Sequence, residues 1–173
     1  MKLFLKTKDF SVSGESFELH QDTDLDMLVT QPQPENLVPY YESENYISHT
    51  DAQKTFTDKL YQAVKQKNLS NKTQIIENQV DKPDSLLDIG AGTGDFLATA
   101  QKAGFTVAGV EPNSKARQLA AHKEVHLEPA LSNLKGRQFQ VITLWHVLEH
   151  LPNLDEQIST ISSLLKADGT LII

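Results

Sequence analysis

Hydrophobic positions in this chain come in short blocks separated by polar turns, and the blocks change period in a regular way. Leu86-Leu87-Asp88-Ile89 is an apolar run of the length and type found in a strand buried on both faces. After it, Phe96, Leu97 and Ala100 recur at helical spacing and predict a helix from Asp95 to Lys102, with Gly104 well placed to stop it. Phe105–Val110 predicts a second strand, Pro112-Asn113-Ser114 caps a helix through Ala121, and Glu124–Leu127 reads as a weak third strand. Phe139–Trp145 is a fourth buried run. From Asn153 or Asp155, Ile158, Ile161, Leu164 and Leu165 mark an amphipathic helix to Lys166, which Ala167-Asp168-Gly169 ends before a fifth strand at Thr170–Ile173. Strand and helix alternate throughout, so the expected fold class is α/β with a doubly wound parallel sheet.

Upstream the pattern is different. Residues 1–35 are polar with brief alternations such as Phe17-Glu18-Leu19 and Met27-Leu28-Val29, and they close on Pro32-Gln33-Pro34, as a small hairpin-like extension would. Residues 36–82 read as a lid segment followed by helices. Tyr40, Tyr41 and Tyr46 cluster there, and apolar bodies with polar tips suit either ligand cover or packing. With Thr50 or Asp51 as N-cap, Phe56, Leu60 and Val64 predict a helix over 51–67, and a second short helix is expected over Lys72–Val80. Asp81-Lys82-Pro83-Asp84 breaks it, and the core begins at residue 83.

Composition narrows the function classes. The chain has 173 residues, 39% hydrophobic and 23% charged, which suits one globular domain with a small appendage. It has no cysteine, so a disulfide framework, a thiolate zinc site and a cysteine nucleophile are excluded. No apolar run reaches membrane-spanning length and no signal-peptide pattern appears, so a cytoplasmic protein without membrane insertion is expected. The net charge of −7 disfavours a broad nucleic-acid surface.

The chemistry concentrates at Asp88-x-Gly90-x-Gly92-x-Gly94. A strand, a glycine-rich turn and a helix N-terminus let backbone approach a ligand closely and aim free N–H groups at negative charge. The dinucleotide fingerprint would need a glycine where Asp95 stands, and the Gly-Lys-Ser/Thr ending of a phosphate loop is absent. Glu111 closes the second strand about 20 residues past the glycines, the place where doubly wound nucleotide folds bind ribose hydroxyls.

Together with Leu148-Glu149-His150 and Leu165-Lys166-x-x-Gly169-x-Leu171-Ile172-Ile173, this loop resembles class I S-adenosylmethionine-dependent methyltransferases, in particular the ubiquinone-biosynthesis O-methyltransferase-like group. The resemblance covers residues 85–173 well and 30–50 loosely. It implies a Rossmann-like sheet and S-adenosyl-L-methionine as cofactor, with the loop Gly90, Ala91, Gly92, Thr93 and Gly94 packing on the methionine part and Asp88 supporting it indirectly. Glu111 would bind the ribose hydroxyls, and further cofactor contacts are expected at Phe96, Pro112 and Trp145, at Tyr46 from the lid, and at the Ala130–Leu131 backbone near the adenine. Two positions depart from the pattern. Ala130 stands where relatives carry an Asp, and Gln140 replaces the usual Asp at the start of the fourth strand. If the acceptor is a hydroxyl, His146 or His150 could serve as base near neutral pH. Thr30-Gln31-Pro32-Gln33-Pro34 fits the stretch that follows a zinc ribbon in many relatives. The knuckle positions would fall near Phe10/Ser13 and Asp22/Leu25, which cannot form a thiolate site, so the segment reads as a ribbon-like remnant without metal or as an unrelated extension. The fold normally continues into a sixth and a seventh strand; ending at Ile173, the sequence reads as a fragment.

His146-x-x-Glu149-His150 also matches the signature of inverted zinc peptidases, which needs a long helix, but Pro152 and a strand-to-helix loop argue against it. No metal ligands are assigned. Three readings stay open in descending order: a methyltransferase for a small-molecule acceptor, a cofactor-binding domain without turnover, and a nicotinamide-dependent dehydrogenase, which the glycine spacing disfavours.

Overall fold

Strand pairing follows the apolar runs. The computed structural model describes residues 1–34 and 56–173, with side chains from residue 61 onward in the first helix. The chain divides into two compact units, Met1–Asp51 and Ala52–Ile173.

In the first unit, β1 (Lys2–Lys8), β2 (Ser16–Asp22) and β3 (Met27–Gln31) form an antiparallel meander in that order, one strand more than the expected hairpin. Both turns are built on aspartates. The Asp9 carboxylate accepts the N–H groups of Ser11 and Ser13 at 2.8 and 2.6 Å, and Asp22 Oδ1 accepts those of Asp24 and Leu25 at 2.9 and 3.1 Å. A short acidic side chain thus satisfies turn donors that the strand ladder cannot reach.

In the second unit, helix α1 (Phe56–Glu77) is followed by β4 (Ser85–Ile89), α2 (Asp95–Lys102), β5 (Thr106–Val110), α3 (Ser114–Ala121), β6 (Leu127–Glu128), β7 (Phe139–Leu144), α4 (Leu154–Leu164) and β8 (Leu165–Ile172). The sheet order is β6-β5-β4-β7-β8, and every pairing is parallel. Alternate residues of the central strands supply the two faces. Leu86 and Val141 pack with Leu69 and Ile76 of α1 and with Leu97 and Ala100 of α2, while Leu87 and Ile142 pack with Ile161 and Leu164 of α4. Chain order reverses between β4 and β7, and ligands in open α/β sheets bind at the carboxyl ends of the strands beside such a reversal.

Three boundaries differ from expectation. The two upstream helices are one, because Asn68-Leu69-Ser70-Asn71 contains no Gly or Pro, and Thr73 Oγ1 donates to the Leu69 carbonyl at 3.0 Å across the expected gap. The buried face is Leu69, Thr73 and Ile76, whereas Val64 is exposed. The third strand is Leu127–Glu128, since Glu124 takes a left-handed conformation (φ 62°) and Val125 N–H still bonds Ala120. The fifth core strand begins at Leu165, and a register irregularity opposite Gln140 absorbs Ala167–Gly169. Lys166 Nζ on Asp84 at 2.7 Å and Gln140 Nε2 on the Asp168 carbonyl at 3.1 Å hold that irregularity. Among the described residues, no helix is long and apolar enough to cross a membrane.

Candidate functional site

At the carboxyl end of β4 the chain turns through Gly90, Gly92 and Gly94, all left-handed with φ of 74°, 53° and 75°. Gly90 and Ala91 donate their N–H groups to the Val110 carbonyl at 2.8 and 3.0 Å, which ties the loop to the end of β5. A Cβ at Gly90 would lie 2.4 Å from Val147 Cγ2, so the loop after β7 packs on the bare α-carbon. A Cβ at Gly92 would meet nothing within 4 Å. That side of the loop is open backbone, the surface a ligand can approach closely.

Beside it lies the buried carboxylate of Glu111. Its Oε2 accepts the Gly92 N–H and its Oε1 the Asn113 N–H, both at 2.9 Å. Each oxygen retains a further acceptor position. The Glu111 backbone is fixed in turn: its N–H donates to the Glu128 carbonyl at 2.9 Å, and Arg117 Nη1 donates to the carbonyls of Glu111 and Pro112 at 2.7 Å. Pro112 is exposed next to this carboxylate, and Ala130 and Leu131 follow the end of β6 at the start of a 3-10 turn. The strand ends therefore bring Leu131, Glu111, the glycine loop and Trp145 to the carboxyl end of the sheet.

Asp88 lies beneath the loop. Thr143 Oγ1 donates to Asp88 Oδ1 at 2.6 Å across the β4–β7 pair. Burial pushes the Asp88 carboxyl up to about 7, against the Thr143 hydrogen bond and the charge of Lys72, which pull it down. Trp145 meets Phe96 edge-on at 5.6 Å, and Lys72 Nζ stands 4.5 Å from the centre of the indole ring. Trp145 Nε1 is buried with no hydrogen-bond acceptor among the described residues. On the far flank, Asp95 takes Thr93 Oγ1 at 2.7 Å, Lys123 at 2.9 Å and Lys65 at 3.0 Å. Burial alone would raise the Asp95 carboxyl, but these donors outweigh it and hold the group below the ordinary carboxylate range.

His146 and His150 are exposed on the loop after β7. His146 has φ 58°, a left-handed conformation unusual for histidine, and its Nδ1 is 4.0 Å from Glu149 Oε1, beyond hydrogen-bond range. Leu148–His150 is a single 3-10 turn, so His146-x-x-Glu149-His150 lacks the long helix that a zinc peptidase needs. Tyr46, and the lid segment up to residue 55, lie outside the described residues.

The donor and acceptor set fits an elongated nucleoside ligand: open backbone at Gly92, remaining acceptor positions on Glu111, and at the other end an indole N–H unpaired among the described residues. Sequence reasoning missed Lys72, Thr143, Val147 and the Lys65 and Lys123 pairs. Lysines at helical spacing read as solvated, and Thr143 shows only as one polar position in a buried strand.

Asp88 has a measurable pH signature. Its folded-state pKa lies above its unfolded value, so its contribution favours folding fully below about pH 4 and is lost as pH rises to about 7. Asp95, with a lowered pKa, acts in the opposite sense. Asp88→Asn is therefore expected to gain on the wild type as pH rises from about 4 to 7, by on the order of 1–3 kcal/mol. Denaturant unfolding at several pH values measures it, and a constant difference would contradict the buried, protonated carboxyl.

A family model described as "Methyltransferase domain" matches residues 57–173. An uncharacterized methyltransferase of Alkaliphilus oremlandii is 30% identical over 125 residues, 68% of this chain and 57% of the relative. A ubiquinone biosynthesis O-methyltransferase of Actinobacillus pleuropneumoniae is 32% identical over 100 residues, 50% of this chain and 43% of the relative. The chain thus spans about half the length of the curated relatives it matches. Among solved structures, the magnesium protoporphyrin IX methyltransferase from Synechocystis with bound S-adenosylmethionine superposes with a TM-score of 0.57 at 21% identity, over 73% of this chain and 69% of that one. A sugar N-methyltransferase from Streptoalloteichus gives 0.53 at 22% identity, over 70% and 54%. With its five parallel strands in Rossmann-like order and a family match over residues 57–173, the chain belongs to the class I methyltransferases.

Proposed function

We propose that this chain carries the cofactor-binding part of an S-adenosylmethionine-dependent methyltransferase that acts on a small-molecule acceptor. The observation that carries the reading is Glu111, a buried carboxylate bridging the Gly92 N–H and the start of α3 at the strand ends. A fixed, charged acceptor there suits a pair of ribose hydroxyls. Gly90 to Gly94 and Phe96 border the methionine part, and Ala130 and Leu131 the adenine. The ubiquinone biosynthesis O-methyltransferase relative, and solved structures with bound S-adenosylmethionine or S-adenosylhomocysteine, support this choice of cofactor.

Bound at this site, the cofactor supplies an electrophilic methyl group on sulfur, transferred by direct displacement. The protein's share is alignment and exclusion of water. For a hydroxyl acceptor, His146 or His150 takes the proton on a ring nitrogen, and their exposure on the loop whose Val147 packs on Gly90 supports access to substrate. The charge of −7 and the lack of cysteine support a small acceptor and a cytoplasmic setting. In this reading residues 83–173 are the core and 1–35 a separate extension.

Thermal melting with S-adenosylmethionine, S-adenosylhomocysteine and NAD tests the reading. Stabilisation by the first two is expected, and stabilisation by NAD alone would refute it. His146→Ala and His150→Ala are expected to slow conversion of S-adenosylmethionine to S-adenosylhomocysteine in the presence of phenolic acceptors. Unchanged turnover in both variants between about pH 6 and 8 would remove the base assignment.

A further inference from the structure

Lys72 stands on α1, half-buried, with its ammonium over the face of Trp145. It has no carboxylate within ion-pair distance and no hydrogen-bond acceptor among the described residues, although other lysines at this site, Lys65 and Lys123, are paired with Asp95. The Trp145 Nε1–H is also without an acceptor among the described residues. Two such donors, one a half-buried cation and the other a buried N–H, are costly to leave unsatisfied. Asp88 attracts Lys72 through space, but its carboxyl is buried, pushed toward the neutral form and occupied by Thr143.

Their place along the carboxyl end of the sheet says what they await. Glu111 and the Ala130–Leu131 turn lie on the β5–β6 side of the glycine loop, while Lys72, Phe96 and Trp145 lie on the β4–β7 side. A ligand whose ribose sits at Glu111 and which crosses the open Gly92 backbone puts its non-nucleoside end at the two free donors. The geometry points to Lys72 as the residue that recognises the α-carboxylate of the cofactor's methionine part, with the Trp145 indole N–H as second donor. This inference rests on the proposed function above and extends it to a residue on the helix before the core.

The alternative is that Lys72 merely offsets Asp88 and packs on Trp145. The two differ in which ligand they affect. Isothermal calorimetry with S-adenosylmethionine and with decarboxylated S-adenosylmethionine, which lacks only the carboxylate, separates them. Wild-type protein is expected to prefer the intact cofactor at least tenfold. Lys72→Met should remove most of that preference by weakening S-adenosylmethionine alone, Trp145→Phe should reduce it severalfold, and Lys72→Arg should restore part of it. Equal weakening of both ligands by Lys72→Met, or no weakening, would overturn the assignment. Equal affinity of the wild type for both ligands overturns it without any variant, so the test survives a Lys72→Met protein that does not fold. If the wild type bound neither ligand, the proposed function itself would fall.

Discussion

Glu111→Ala is expected to weaken S-adenosylmethionine binding by about 100-fold or more and to lower the melting temperature. Two losses combine. The ribose hydroxyls lose a charged acceptor, and hydrogen bonds to charged groups contribute roughly 1.5–3 kcal/mol each. The N–H groups of Gly92 and Asn113, now bound at 2.9 Å, also lose their acceptor inside the protein. Each such orphan costs about 1–3 kcal/mol, and one of the two holds the glycine loop in shape. Glu111→Gln should fall between, because an amide keeps one oxygen for one N–H but turns its NH2 toward the other. Calorimetric titration gives the affinity and thermal melting the fold. A Glu111→Ala protein that bound the cofactor as the wild type does would exclude Glu111 from the site.

Gly90→Ala is expected to destabilise the second unit by about 2–5 kcal/mol. The residue has φ 74°, and a left-handed alanine costs roughly 1–2 kcal/mol. Its Cβ would also press into Val147 Cγ2 at 2.4 Å, and overpacking of this kind adds about 1–3 kcal/mol. The two contributions separate in a double-mutant cycle. Val147→Ala in the Gly90→Ala background should recover the overlap but not the backbone strain, so the double variant should be more stable than Gly90→Ala. Strict additivity in denaturant unfolding would mean that Val147 is not what the new methyl group meets. The neighbouring position behaves differently. A Cβ at Gly92 meets nothing, so the same change there should cost backbone strain in the free protein and act mainly on ligand approach.

Much of the second unit was legible because its signals are local. The run Leu86–Ile89, the three alternating glycines and the helical spacing of Phe96, Leu97 and Ala100 are each set within a few residues, and α2 and α3 came out at the predicted bounds. Boundaries failed where a contact from elsewhere decided them. Leu69 and Ile76 carry α1 through a polar stretch by packing on the sheet, and the pairing opposite Gln140 draws Ala167–Gly169 into a strand that turn chemistry alone would have ended. In the first unit, the third strand of the meander depended on pairing with β2, which a five-residue segment does not announce.

By itself the sequence determined the fold class, the glycine loop and the acidic residue that closes the second strand, since residue type and spacing specify strand, turn and helix N-terminus. Tertiary structure decided the electrostatics and the second half of the site. Only folding buries Asp88 against Thr143 from a strand 55 residues away, and only folding lays Lys72 on Trp145 and Val147 on Gly90. Desolvation and unpaired donors arise from what surrounds a group in space, and that surrounding is assembled from α1, β4 and β7 together.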